Sequence, residues 1–102
     1  MLVYRYQDRN HVGPFAHNGF NRRFAQLATA QDVGLMWRIG ESASACESVD
    51  SLIAYFGARN SRDLESKGYR IAEYKVDASD VQVGSNQVVF NSNTAVLMQY
   101  ID

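Results

Sequence analysis

Strict alternation over residues 2–7 narrows the fold more than any other feature of this chain. Leu2, Tyr4 and Tyr6 fall on one side, and Val3, Arg5 and Gln7 on the other. A period of two in β-branched and aromatic company is the signature of a strand, because successive side chains of extended backbone point to opposite faces. Residues 69–76 repeat the pattern, with Tyr69, Ile71, Glu73 and Lys75 set against Arg70, Ala72, Tyr74 and Val76. Residues 81–83 form a shorter extended piece ahead of a Gly84-Ser85 turn. Residues 86–90 and 94–101 flank Asn91-Ser92-Asn93 and read as a hairpin.

Helical signals occupy the middle of the chain. Ser48 can cap the free N–H groups of a first turn, and Asp50 lies near the positive helix end. Leu52, Ile53, Tyr55 and Phe56 then supply an apolar face, and Gly57 ends it. A second short helix is expected with Ser61 as its cap, Asp63 and Glu65 in its early turns, Lys67 closing it and Gly68 stopping it. Residues 22–31 fit another short helix, with Asn21 as N-cap and Phe24, Leu27 and Ala28 on one side. Residues 33–39 read as a short strand, and residues 40–45, small and polar, as a loop. The order β, loop, α, β, α, α, β, β, β predicts an α+β fold: a small mixed or antiparallel sheet with two to three short helices. At 102 residues the expectation is a single domain, 1–102.

Composition removes several functional classes. Hydrophobic residues make up 46% of the chain and include 12 aromatics, too apolar a content for a disordered chain. No apolar run approaches the roughly 18 residues of a membrane span, and no signal-peptide pattern follows Met1, so a cytoplasmic protein is expected. The lone Cys46 excludes an internal disulfide, and its neighbour Glu47 does nothing to lower a thiol pKa. His11 and His17 stand six apart without a metal-ligand motif, so no metal is expected. Walker, G-x-G-x-x-G and G-x-S-x-G patterns are absent. A net charge of −1 argues against nucleic acid as partner.

That charge is unevenly distributed. Residues 1–38 carry +3, all of the positive charge from arginine, and residues 39–102 carry −4. Arginine presents a planar fork suited to phosphate and carboxylate oxygens. Residues 8–21 are rich in turn formers, and a long loop in a small domain is often functional. In and just after it, Arg9, His11, Phe15, His17, Phe20, Arg22 and Arg23 form a candidate contact surface, since arginine and aromatics dominate binding hot spots.

Three segments carry a resemblance. Tyr4-Arg5 lies near the end of the first strand, Ser48 opens a helix, and Gln87-Val88-Val89-Phe90 begins a late strand. In this order they resemble the Arg–Ser–Glu framework of ADP-ribosyltransferases. The resemblance implies that Arg5 contacts NAD phosphates, that Ser48 braces the nicotinamide-ribose pocket, and that Gln87 stands at the catalytic glutamate position. A glutamine there accepts a hydrogen bond but places no negative charge beside a developing cation, a loss of ~10²–10³ in rate. The Tyr4-Arg5 strand, Gly13-Pro14-Phe15 and the late Gln-Val-x-Phe also resemble small proteins of bacteriophages and prophages. That likeness implies an accessory protein without catalysis or cofactor of its own. Such a protein, a monomer or homodimer, would bind and inhibit a host or viral protein such as an antiviral defence component. The transferase likeness implies the alternative, a minimal mono-ADP-ribosyltransferase or an NAD- or nucleotide-binding protein.

Overall fold

The computed structural model describes residues 1–13, 42–85 and 87–101. Among these, the elements run β1 (Leu2–Gln7), β2 (Ser42–Ala45), α1 (Val49–Phe56), α2 (Ala58–Ser66) and β3 (Arg70–Lys75). They continue with a 3₁₀ turn (Ala78–Asp80), β4 (Val81–Val83), β5 (Val88–Asn91) and β6 (Val96–Ile101). The α+β expectation holds, and both sheets are antiparallel. The first has the order β1-β3-β6, with Leu2 opposite Lys75 and Gln7 opposite Arg70. The second has the order β2-β5-β4. Tyr4 and Cys46 exchange both backbone hydrogen bonds at 2.8 Å, which ties β1 to the end of β2.

The alternation read from β1 and β3 decides the packing. Tyr6 and Ile71 face α1 and α2, where they join Cys46, Leu52, Tyr55, Phe56, Leu64 and Tyr69 in one buried cluster. Phe56 meets Tyr6 and Tyr55 edge-on, at centroid distances of 5.4 and 5.2 Å, the favoured aromatic geometry. Val3 and Val76 face the other way and pack with Ala43, Ala45, Val88 and Phe90 of the second sheet. The first sheet is therefore covered by helices on one face and by the second sheet on the other, and each face buries its own apolar set.

Ser48 is the N-cap of α1, and Gly57 terminates it at φ +89°. The cap of α2 differs from expectation. Gly57 serves both helices, and Ser61, one turn later, is an enclosed residue of the helix interior. Its hydroxyl and that of Tyr6 lie near one another at the helix–sheet interface, yet neither makes a hydrogen bond of ordinary geometry among the described residues. Residues 42–45 are strand rather than loop. Ala43 and Ala45 belong to the inter-sheet core, and β2 pairs antiparallel with β5.

The expected hairpin of residues 86–90 with 94–101 does not form. Instead, β5 turns back on β4 through Gly84, whose N–H donates to the Gln87 carbonyl at 2.8 Å. Beyond Asn91-Ser92-Asn93 the chain leaves for the first sheet, where β6 pairs with β3. The cause is burial, since Val88 and Phe90 belong to the core between the sheets. The helix expected at residues 22–31, the strand at 33–39 and most of the 8–21 loop lie outside the described residues. Among the described residues, no helix is long and apolar enough to cross a membrane.

Candidate functional site

Where β1 ends, Asp8 builds a compact turn. Its Oδ1 accepts from the Asn10 and Val12 amides at 2.8 and 3.0 Å. Its backbone carbonyl accepts from His11 N, and its own amide donates to Val12 O. Four hydrogen bonds thus organise residues 8–12, and aspartate suits the site because its short side chain reaches amides two and four residues on. The turn holds His11 at φ +65°, a left-handed conformation that costs a non-glycine residue about 1 kcal/mol. Arg9 and His11 are both exposed on it.

Beneath the turn, Gln7 is only 1% exposed, and its side chain is fully engaged. Its Oε1 accepts from the Tyr74 hydroxyl at 2.8 Å. Its Nε2 donates to the Tyr100 hydroxyl at 3.1 Å and faces His11 Nδ1 at 3.3 Å. Both amide hydrogens are accounted for when His11 Nδ1 is the acceptor nitrogen. The Arg70 guanidinium lies over the Tyr100 ring, 4.4 Å from its centroid.

Arg5 shares the Val3–Gln7 face and points between the sheets. Its Nε is enclosed and has no hydrogen-bond partner among the described residues. Burial lowers the pKa of this guanidinium, and the nearby Tyr74 phenol acts in the opposite direction. The guanidinium lies tight against Gly13, where a Cβ would collide with it.

The three residues of the transferase-like framework come from separate elements: Arg5 from β1, Ser48 from the head of α1 and Gln87 from just before β5. Ser48 Oγ is engaged at the head of α1, accepting from Ser51 N at 3.0 Å and sharing a 2.7 Å hydrogen bond with Ser51 Oγ. Arg5 lies against Gly13, and Gln87 is buried immediately before β5. Of the candidate contact surface, Arg9 and His11 sit together on the Asp8 turn. Phe15, His17, Phe20, Arg22 and Arg23 lie outside the described residues. Cys46 is a buried thiol within the helix-facing core. No group of three His, Cys, Asp or Glu side chains able to hold a metal occurs among the described residues.

Sequence reasoning missed the Gln7–Tyr74–Tyr100–His11 network. Its partners lie 67 and 93 residues from Gln7, so only the strand pairing brings them together. The legible signal was narrower: Gln7 falls on the same face as Val3 and Arg5.

The model of the family described as the bacteriophage T4 Y00F protein matches residues 1–102. No curated protein and no solved structure gives a significant match. The likeness to ADP-ribosyltransferases receives no support from these comparisons.

Proposed function

We propose that this chain, which belongs to the bacteriophage T4 Y00F protein family, is a phage accessory protein that works by binding a host protein and altering its activity. It carries out no chemistry of its own on this reading, and a component of an antiviral defence system is the kind of partner it addresses. The observation that carries the reading is the Asp8 turn. Four hydrogen bonds fix its backbone, and it presents Arg9 and His11 to solvent. A contact loop ordered before binding avoids part of the entropy cost of association. Arginine is among the residues most often found at the energetic centre of interfaces. The strained φ of His11 fits the same role, because strain of this kind collects at functional positions.

The test begins with affinity capture from the bacterial host, followed by titration of the purified captured protein. Arg9→Ala combined with His11→Ala is expected to weaken that binding by about tenfold or more, equivalent to roughly 1.4 kcal/mol. An unchanged affinity would remove the turn from the interface. His11→Gly separates the two roles of that position, since glycine adopts the same φ without strain. Its stability is expected to stay within about 1 kcal/mol of the parent while binding falls.

A further inference from the structure

We propose that the half of the first sheet's helix-bearing face left uncovered by the helices is a homodimer interface, on which a second copy of this chain packs about a two-fold axis and Lys75 of each copy pairs with Glu73 of the other.

The strand register sets three rows across this face: Leu2, Lys75 and Val96; then Tyr4, Glu73 and Gln99; then Tyr6, Ile71 and Ile101. Helices α1 and α2 cover the third row, where Tyr6 and Ile71 are buried, and Tyr4 and Ile101 pack at the margin of that cluster. The first row lies beyond the cover. Leu2 is 43% exposed and Val96 56%, and Lys75 between them is exposed as well. Met98, left outside the ladder where the register shifts between the first two rows, is 51% exposed. Leu2 and Val96 are two strand spacings apart, roughly 9–10 Å, with the aliphatic stem of Lys75 between them. Apolar side chains gathered in this way mark an interaction surface, whereas isolated ones do not.

The charges on the face identify its occupant. Glu73 and Lys75 stand two residues apart on the same side of β3, so their backbones are about 7 Å apart. The Glu73 carboxylate is held in place by Tyr4 Oη at 2.9 Å and Gln99 Nε2 at 3.3 Å. A two-fold axis running across the strands, midway between these two rows, lays β3 antiparallel over its own copy. Lys75 then meets Glu73 of the other copy twice, Leu2 falls over the other copy's Tyr4, and Val96 over its Gln99. A face with a cation and an anion one row apart is thus complementary to itself, as an isologous interface requires. An axis along the strands would instead set Lys75 against Lys75. Shape agrees with the first arrangement. A helix with its side chains is about 10–12 Å thick, close to the ~10 Å spacing of packed sheets. The uncovered end of one sheet therefore fits the step beside the other copy's helices. The contact is made by the face and leaves the bulged edge of β6 unused. Leu2 and Gln7 are at opposite ends of β1, so the pairing leaves the Asp8 turn of each copy open.

Sedimentation velocity of the whole protein over about 1–500 µM tests the association, and a concentration-dependent dimer is the expected result. Lys75→Glu sets acid against acid twice and is expected to weaken the dimer about tenfold or more, and Glu73→Lys does the same with base against base. Mixing these two variants rejoins opposite charges at both contacts, so the mixture is expected to dimerise more tightly than either variant alone. Val96→Asp is expected to weaken the dimer without loss of fold, since its side chain is exposed. A chain that stays monomeric throughout the range would overturn the proposal and leave the face to a different protein. A dimer unaffected by Lys75→Glu and Val96→Asp would overturn it too, as would variants that gain nothing on mixing. Should Glu73→Lys fail to fold through loss of its bonds to Tyr4 and Gln99, the Lys75→Glu and Val96→Asp variants decide.

Discussion

Gln7 shows what a single side chain does in this fold. It occupies a strand position that its sequence neighbours mark only by alternation, and glutamine is ordinarily exposed. In the structure it is enclosed and joins β1 to β3 and β6 through the Tyr74 and Tyr100 hydroxyls. Replacing it with leucine strands both hydroxyls. Each buried polar group left without a partner costs about 1–3 kcal/mol, so Gln7→Leu is expected to lose about 2–4 kcal/mol in urea denaturation. A loss below 1 kcal/mol would mean that water takes over the role of the amide. Gly13 belongs to the same scale. The Gly13-Pro14 pair reads in sequence as turn chemistry, whereas the structure adds a contact reason, the approach of Arg5.

Among the elements, the helices were the most legible. Their signals are local: a serine followed by an acid and an apolar stripe, closed by glycine. Ser48→Ala removes the side-chain acceptor of the Ser51 amide and is expected to cost about 1 kcal/mol of stability, read as a lower denaturation midpoint with an unchanged slope. The strands were legible as strands, but their partners were not. Residues 86–90 and 94–101 are joined by a good turn sequence, and proximity alone favours a hairpin. Burial of Val88 and Phe90 in the inter-sheet core prevails, and β6 is delivered to a different sheet. Residues 42–45 escaped notice because Ser42, Ala43, Ser44 and Ala45 carry no β-branched or aromatic group. Only their pairing with β5 makes them a strand. The β6 strand lies at an edge of the first sheet and exposes Val96 and Met98. Its register shifts opposite Glu73 and Tyr74, leaving Met98 outside the ladder, and a bulge of this kind discourages the addition of another strand.

Across the whole molecule, the buried and hydrogen-bonded tyrosines set the alkaline limit of stability. Tyr4 is raised above the ordinary phenol range by its hydrogen bond to Glu73, with burial and the Glu73 charge adding to it. Tyr6 and Tyr69 are raised chiefly by burial. In each case the unfolded chain releases its phenolic proton first, near pH ~10. The stabilisation is therefore complete below that pH and declines as the pH climbs through the higher folded values. Denaturation midpoints are expected to hold between pH 8 and 9.5 and to fall above about pH 10. A midpoint that stays level to pH 11 would show that these phenols ionise without penalty. The global arrangement, with a helical layer and a second sheet on opposite faces of the first, was legible only as a class. The alternating faces of β1 and β3 were read correctly, while what covers each face depends on contacts between residues far apart in the chain.

The central claim is that the turn of residues 8–12 is a preformed contact site. Amide resonance perturbation on addition of a purified protein captured from the host, the proposed partner, tests it most directly. The account predicts that the largest changes centre on Arg9 to Val12 with the turn backbone unaltered, and that they disappear in the Arg9→Ala, His11→Ala double variant. Changes confined to the helices or to β4, with residues 8–12 unmoved at saturation, would contradict it.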